Sequence, residues 1–224
     1  MALTLYGAIL SPFVRKVRIQ LAEIDQDYEL VTVNPFGQPD WYYQINPLGR
    51  VPAIQDDELN LADSAIIAQY LHDTRGSVLY GTTPQEAARI RWLEKYADYE
   101  VAPFATFTVF YNRIVRPLKG ETTDEQLIAA ALSEKLPPLF DYLEAQLGSN
   151  EYLVGNRFSM ADIAVACQLI NLGHGGETLD PRRWPSLAGF LERVSTRSSV
   201  SERLAEERNL LAKIAARSAQ KQPG

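Results

Sequence analysis

The stretch SPFVRKVRIQLAE, residues 11–23, follows a short run of β-forming residues, LTLY, at 3–6. Serine followed by proline is a strong start signal for a helix, because serine caps free backbone N–H groups and proline fits the first helical position. Val14, Val17 and Leu21 then recur on one face of that helix. The stretch therefore predicts a strand that leads through a tight turn into an amphipathic helix.

Further signals predict an α/β domain over residues 1–80. A strand at 28–33 completes a βαβ unit, whose strands pair in parallel. After an irregular helical stretch, two strands flank the acidic turn 56–58, and Asp63-Ser64 opens another helix. The order βαβαββα predicts a mixed four-stranded sheet.

Residues 83–212 are predicted to form an all-α domain, a bundle of helices. Capping-box patterns, which satisfy free N–H groups at a helix start, begin at Thr83, Thr123 and Ser159. The segment 213–224 is rich in Ala, Ser, Gln and Lys and is predicted to be a flexible tail.

The composition excludes several classes of function. The chain has 224 residues and a net charge of −6, which argues against nucleic acid or an anionic membrane as the main partner. No signal peptide or membrane span is visible, and the single cysteine, Cys167, suits a reducing compartment. Two scattered histidines and one cysteine give no metal-ligand spacing. We expect a cytoplasmic protein without a metal.

Three motifs of the first domain carry possible chemistry. Ser11 begins a helix, where free N–H groups and the helix dipole favour an anion such as a thiolate. Asp63 and Ser64 begin another helix and suit the ammonium and carboxylate of an amino-acid group. Pro52 begins a strand, and a cis bond before it would turn the backbone of Val51 towards a peptide ligand. Simple helix caps and an ordinary trans turn are the structural alternatives.

Together and in this order, the motifs resemble those of the cytosolic glutathione S-transferases. The resemblance covers nearly the whole chain and is carried by SPFVRKVRIQLAE, NPLGRVPAI, LADSAIIAQYL and YLVGNRFSMADIAVA. It implies a thioredoxin-like N-terminal domain, an all-helical C-terminal domain, a homodimer and a cis bond between Val51 and Pro52. It also implies that the capping box at 159–162 serves folding.

The resemblance implies glutathione as co-substrate and assigns a role to each motif. Ser11 donates to the glutathione thiolate, and the backbone of Val51 pairs with the cysteinyl unit. Asp63 and Ser64 hold the γ-glutamyl end, where relatives often carry Glu-Ser. Arg50 contacts the glycine carboxylate. Tyr6, at the end of the first strand, is the alternative catalytic hydroxyl.

The second substrate is expected to be a small hydrophobic electrophile bound between the domains. Its candidate contacts, which equally suit a packed core, are Ile9, Leu10, Phe104, Phe107, Phe110 and Tyr111. His174 is interpreted as a surface residue that could line the site. Asp98 and Glu100 are candidates for a contact made from the other subunit of a dimer.

Three functions remain open at this point. The leading one is conjugation of the glutathione thiolate to electrophiles. A glutathione-dependent isomerase, dehalogenase or peroxidase would use the same thiolate, so the glutathione motifs do not separate these reactions. The third is a binding or regulatory protein of the same fold without activity.

Overall fold

The computed structural model describes residues 3–220, in which a half built on a β-sheet packs against a helical half. In the first half, the strands are β1 (Leu3–Tyr6), β2 (Tyr28–Val31), β3 (Ala53–Asp56) and β4 (Leu59–Ala62). The helices are α1 (Pro12–Glu23) and α2 (Ser64–Arg75), with a short 3-10 helix at Asp40–Gln44.

The sheet has the strand order β2-β1-β3-β4. β1 pairs in parallel with β2, whereas β3 pairs antiparallel with both β1 and β4. This confirms the predicted mixed four-stranded sheet. α1 buries Val14, Val17 and Leu21 completely, in one apolar cluster with Leu5 of β1 and Ile54 of β3. The apolar stripe read from the sequence thus fixes α1 on the sheet.

The second half is helical. α3 covers residues 84–118 and α4 covers residues 125–147, followed by α5 (Met160–His174), α6 (Pro185–Ser195) and α7 (Ser198–Gln220). Within α3 the backbone takes a π-helical register at Ala97–Val101 and Ala105–Val115, on either side of Pro103. Proline has no N–H to donate, so a shift of the hydrogen-bond register beside it lets the helix continue.

Two of the helix starts show where local sequence was decisive and where it was not. Ser159 and Asp162 form the predicted capping box of α5, with the Asp162 carboxylate 2.8 Å from the Ser159 N–H. The capping box predicted at Thr123 is wrong. Asp124 caps α4 instead, and the Thr123 hydroxyl donates to the carbonyl of Asn112 at 3.1 Å. The Thr123 hydroxyl therefore bonds to α3 and does not cap the start of α4.

The limits of the two predicted domains stay a prediction, and the structure changes from sheet to helices between Arg75 and Pro84. The predicted flexible tail, 213–224, continues α7 as far as Gln220, and residues 221–224 lie outside the described part of the chain. Within residues 3–220, no helix is both long and apolar enough to cross a membrane.

Two basic residues of α1 are buried where the halves meet. Arg15 Nε and Nη2 donate to the Glu207 carboxylate of α7 at 2.6 and 2.7 Å. Lys16 Nζ donates to Glu94 at 3.0 Å and to Asp98 at 2.6 Å, both on α3. Since a buried charge without a partner costs several kcal/mol, roughly 3–5, these pairs hold α1 in one position against the helical half.

We expect Arg15→Met to lower the free energy of unfolding by about 3–5 kcal/mol, because the buried Glu207 carboxylate would keep only its contact with His174. Urea unfolding measures this. Arg182→Met removes an arginine that is 91% exposed and is the matched control, with an expected change of about 0–1 kcal/mol.

The double variant Arg15→Met/Glu207→Leu is expected to regain most of the loss, because no uncompensated carboxylate then remains in the interior. A double variant as unstable as Arg15→Met alone would show that the buried charge is not the source of the effect.

Candidate functional site

A cleft of about 1180 Å³ lies between the two halves. The six residues to which the resemblance assigned glutathione contacts all line this cleft, namely Ser11, Arg50, Val51, Pro52, Asp63 and Ser64. They belong to three segments, namely the start of α1, the loop before β3 and the start of α2. The fold therefore brings together the three motifs that the sequence separates.

Ser11 is the N-cap of α1. Its backbone is extended (φ −72°, ψ 125°), and its hydroxyl accepts a hydrogen bond from the Val14 N–H at 3.4 Å. This distance is long for such a bond, so the hydroxyl is only weakly committed to capping. No acidic residue lies in the first turn of α1, so the positive end of the helix dipole is not neutralised there. An anion beside Ser11 would be stabilised by both groups.

The loop before β3 presents the backbone of Val51 to the cleft. The Arg50 carbonyl is fixed by the Tyr42 hydroxyl at 2.8 Å and by the Asn46 amide at 2.7 Å. The Val51–Pro52 bond is cis, as the resemblance implied. Val51 lies before β3 and takes no part in the strand pairing. Within residues 3–220, its N–H and its carbonyl form no backbone hydrogen bond. Both groups are available to a ligand that pairs in strand fashion.

Asp63 combines a helix cap with a strained backbone. Its φ of 73° is uncommon for a residue other than glycine. One carboxylate oxygen accepts from the N–H groups of Ala65 at 2.9 Å and Ile66 at 3.3 Å. The capping alternative is thus real, yet Asp63 also lines the cleft beside the largely buried Ser64. Strain of this kind is a mark of functional sites when other evidence places a site there.

The rest of the cleft is largely apolar. Of the predicted electrophile contacts, Leu10, Phe107, Phe110 and Tyr111 line it, whereas Ile9 and Phe104 do not. Phe104 packs against the core of the helical half instead. Sequence reasoning missed Phe13 and Phe36, which line the cleft from the first half.

Comparison with known proteins gives the family. A family model described as "Glutathione S-transferase, N-terminal domain" matches residues 5–78, and one described as "Glutathione S-transferase, C-terminal domain" matches residues 110–207. Glutathione S-transferase F13 of Arabidopsis thaliana is 34% identical over 73% of this chain and 77% of its own length. The chain belongs to the glutathione S-transferase family. A glutathione S-transferase of Hyoscyamus muticus is 33% identical over 73% of this chain and 79% of its own length.

Solved structures of glutathione S-transferases agree with this assignment. One from Sinorhizobium meliloti has a TM-score of 0.82 and 28% identity, over 92% of this chain and 93% of that chain. Another, glutathione S-transferase I bound with lactoylglutathione, has a TM-score of 0.79 and 25% identity, over 92% of this chain and 99% of that chain. The resemblance inferred from the motifs is confirmed, and so is its fold.

Tyr6, the alternative hydroxyl within this glutathione S-transferase fold, is buried away from the cleft. Its hydroxyl donates to Gln55 at 3.0 Å. Burial and the nearby Glu29 raise the pKa of Tyr6. Its hydroxyl is therefore already engaged, and Tyr6 is absent from the cleft lining.

His174 does not line the cleft, and the expectation of an exposed residue there is also wrong. Its Nε2 lies 2.7 Å from the Glu207 carboxylate, and its side chain is only 12% exposed. Cys167 is confirmed as a core residue, and burial raises the pKa of its thiol to about 12. Asp98 lines the cleft of its own chain, where Lys16 holds it, while Glu100 is exposed.

Proposed function

We propose that this protein is a glutathione S-transferase that binds glutathione along the sheet side of the cleft and conjugates its thiolate to small hydrophobic electrophiles. The observation that carries the proposal is the position of Ser11. Its hydroxyl, at the start of α1, lies in the same cleft as the free backbone of Val51 and the Asp63-Ser64 pair.

A hydrogen bond from a serine hydroxyl at a helix N-terminus is strong enough to lower the pKa of the glutathione thiol. A free thiol has a pKa of about 8.5, and lowering it by about two units needs roughly 2.7 kcal/mol. A hydrogen bond to a charged group supplies about 1.5–3 kcal/mol, and a helix N-terminus adds about 0.3–1 kcal/mol. No separate base is then required. The thiolate sulfur forms a bond to the electrophilic carbon, and the leaving group departs with its electron pair.

The remaining contacts follow the chemistry of the tripeptide. The Val51 backbone pairs with the cysteinyl unit, since its N–H and carbonyl are free. Asp63 takes the γ-glutamyl ammonium, while the Ser64 hydroxyl and the first N–H groups of α2 take the carboxylate. Arg50 is exposed and lines the cleft, and it takes the glycine carboxylate.

The first test is titration with glutathione from about pH 5 to about pH 9, read by the ultraviolet absorbance of the thiolate. Saturable binding with thiolate well below pH 8.5 supports the proposal, where about 8.5 is the value of the free thiol. Absence of binding would favour a regulatory protein of the same fold.

We expect Ser11→Ala to raise the pKa of bound glutathione by about one to two units and to lower kcat about tenfold to a hundredfold, because one charge-assisted hydrogen bond is lost. Ser11→Thr keeps both the hydroxyl and the cap and is the control. Tyr6→Phe is expected to leave the rate unchanged. A full effect in Tyr6→Phe and none in Ser11→Ala would reverse the assignment.

Asp63→Asn separates charge from capping, because asparagine caps a helix as well as aspartate does. We expect it to raise KM for glutathione about tenfold, as the ammonium loses its carboxylate, while the unfolding midpoint stays near that of the parent protein. Steady-state kinetics and thermal unfolding measure the two effects. An unchanged KM would mean that the γ-glutamyl end is held elsewhere.

We further propose a homodimer. Several large apolar residues are more than 40% exposed on α2 and α3, among them Ile66, Trp92 and Tyr99. Trp92 and Tyr99 both lie on α3 and are 53% and 62% exposed. Sedimentation is expected to give twice the chain mass, and Trp92→Glu is expected to shift the protein towards monomer. A wild-type monomer at micromolar concentration would contradict this.

A further inference from the structure

Aromatic residues of the two halves meet across the cleft in two pairs. Phe13 stacks on Phe107, with ring centroids 5.9 Å apart and an angle of 24° between the planes. Phe36 meets Tyr111 edge to face, with centroids 5.6 Å apart. Phe36 and Phe107 are each more than half exposed, so much of each residue remains open to a guest molecule. Such walls favour a flat aromatic guest, which stacks on them better than an aliphatic chain does.

The far end of this aromatic region is polar and positively charged. Lys119 Nζ lies 3.3 Å from the Tyr111 hydroxyl and 5.9 Å from the centre of its ring. The hydroxyl accepts from Lys119, and within residues 3–220 it donates to no acceptor. Lys119 also contacts Glu121 at 2.7 Å, so one of its three ammonium hydrogens stays free. Two free donors therefore lie side by side at the edge of the aromatic walls.

Charge along the cleft is unequal. The carboxylates among its lining residues are Asp63, at the start of α2, and Asp98, which is paired with Lys16. Asp98 lies 21 positions before Lys119, which caps the end of α3, so several helical turns separate the two. Glu121 is not among the lining residues and meets Lys119 from outside the cleft. Asp98 thus lies far along the cleft from Lys119.

We propose that the electrophile site takes flat aromatic electrophiles that bear a carboxylate or sulfonate, with the anionic group bound by Lys119 and the Tyr111 hydroxyl. This rests on the proposed function, which supplies the glutathione thiolate. In the reaction, sulfur bonds to a ring carbon, and a halide leaves that carbon with the bonding electron pair. The anionic group is unchanged and serves only to orient the ring.

Glu121 does not prevent this. An ion pair this exposed is worth about 0–1 kcal/mol, so a second acceptor competes with it or shares the ammonium. Removing the Glu121 charge should therefore strengthen binding of the anionic substrate. Removing the Lys119 charge should weaken it.

The test compares a para-chloro-dinitrobenzoate with the corresponding benzamide, which has the same shape without the charge. For each compound, kcat/KM at saturating glutathione is divided by the rate constant of the same reaction without enzyme. The benzoate preference is the quotient for the benzoate divided by the quotient for the benzamide. We expect a preference above one. Lys119→Met should lower it about threefold to tenfold, Tyr111→Phe should lower it about twofold to fivefold, and Glu121→Gln should raise it.

Lys95→Met is the matched control, because Lys95 lines the same cleft far along α3 from Lys119. It removes the same charge and should leave the preference unchanged. An equal fall in Lys95→Met would assign the effect to the overall field of the cleft and overturn the subsite. A preference that is absent, or that persists in Lys119→Met, would overturn it as well.

Binding of dinitrobenzoate and dinitrobenzamide, measured by calorimetry without glutathione, separates this proposal from the proposed function. Tighter binding of the benzoate that depends on Lys119, with no turnover of either chlorinated compound, would support the subsite and remove the transferase function. Turnover of both chlorinated compounds, with equal binding of the benzoate and the benzamide, would support the transferase function and overturn the subsite.

Discussion

The buried charges of α1 are the constraint on which the rest of the structure depends. Arg15 and Lys16 are removed from water at the contact between the halves, where burial alone would lower the pKa of each. Their carboxylate partners raise the pKa of both again, so both remain charged and the pairs must stay closed. Because these residues follow Ser11 by little more than one helical turn, the same pairs set where the Ser11 hydroxyl stands in the cleft.

The cleft is therefore a product of both halves. The sheet side supplies the polar groups, with the Arg50 carbonyl held by Tyr42 and Asn46 so that the Val51 backbone faces outward. The helical side supplies an apolar wall from one face of α3. A polar strip opposite an apolar wall suits a reaction in which a peptide thiol meets a hydrophobic second substrate.

Local chemistry made several features predictable from the sequence. These are the sheet, from the order of strands and helices, the helix starts at Ser11 and Ser159, from capping and apolar spacing, and the cleft motifs. Contacts between distant segments could not. Nothing near Arg15 indicates Glu207, which lies 192 positions later. The same limit explains His174, interpreted as a surface residue although it lies beside Glu207, and Phe36, which lines the cleft from a loop without periodicity. The capping box predicted at Thr123 was wrong for the same reason, since the Thr123 hydroxyl donates to Asn112 of α3.

The position of Glu207 has a consequence for how the cleft can open. This one carboxylate is shared by Arg15 of α1 and His174 of α5, so α7 clamps the first and fifth helices together. A hinge movement that separates α1 from the helical half would have to break the buried ion pair between Arg15 and Glu207. The two walls of the cleft are therefore held together by the same ions that anchor α1, and separating them would leave buried charges without partners.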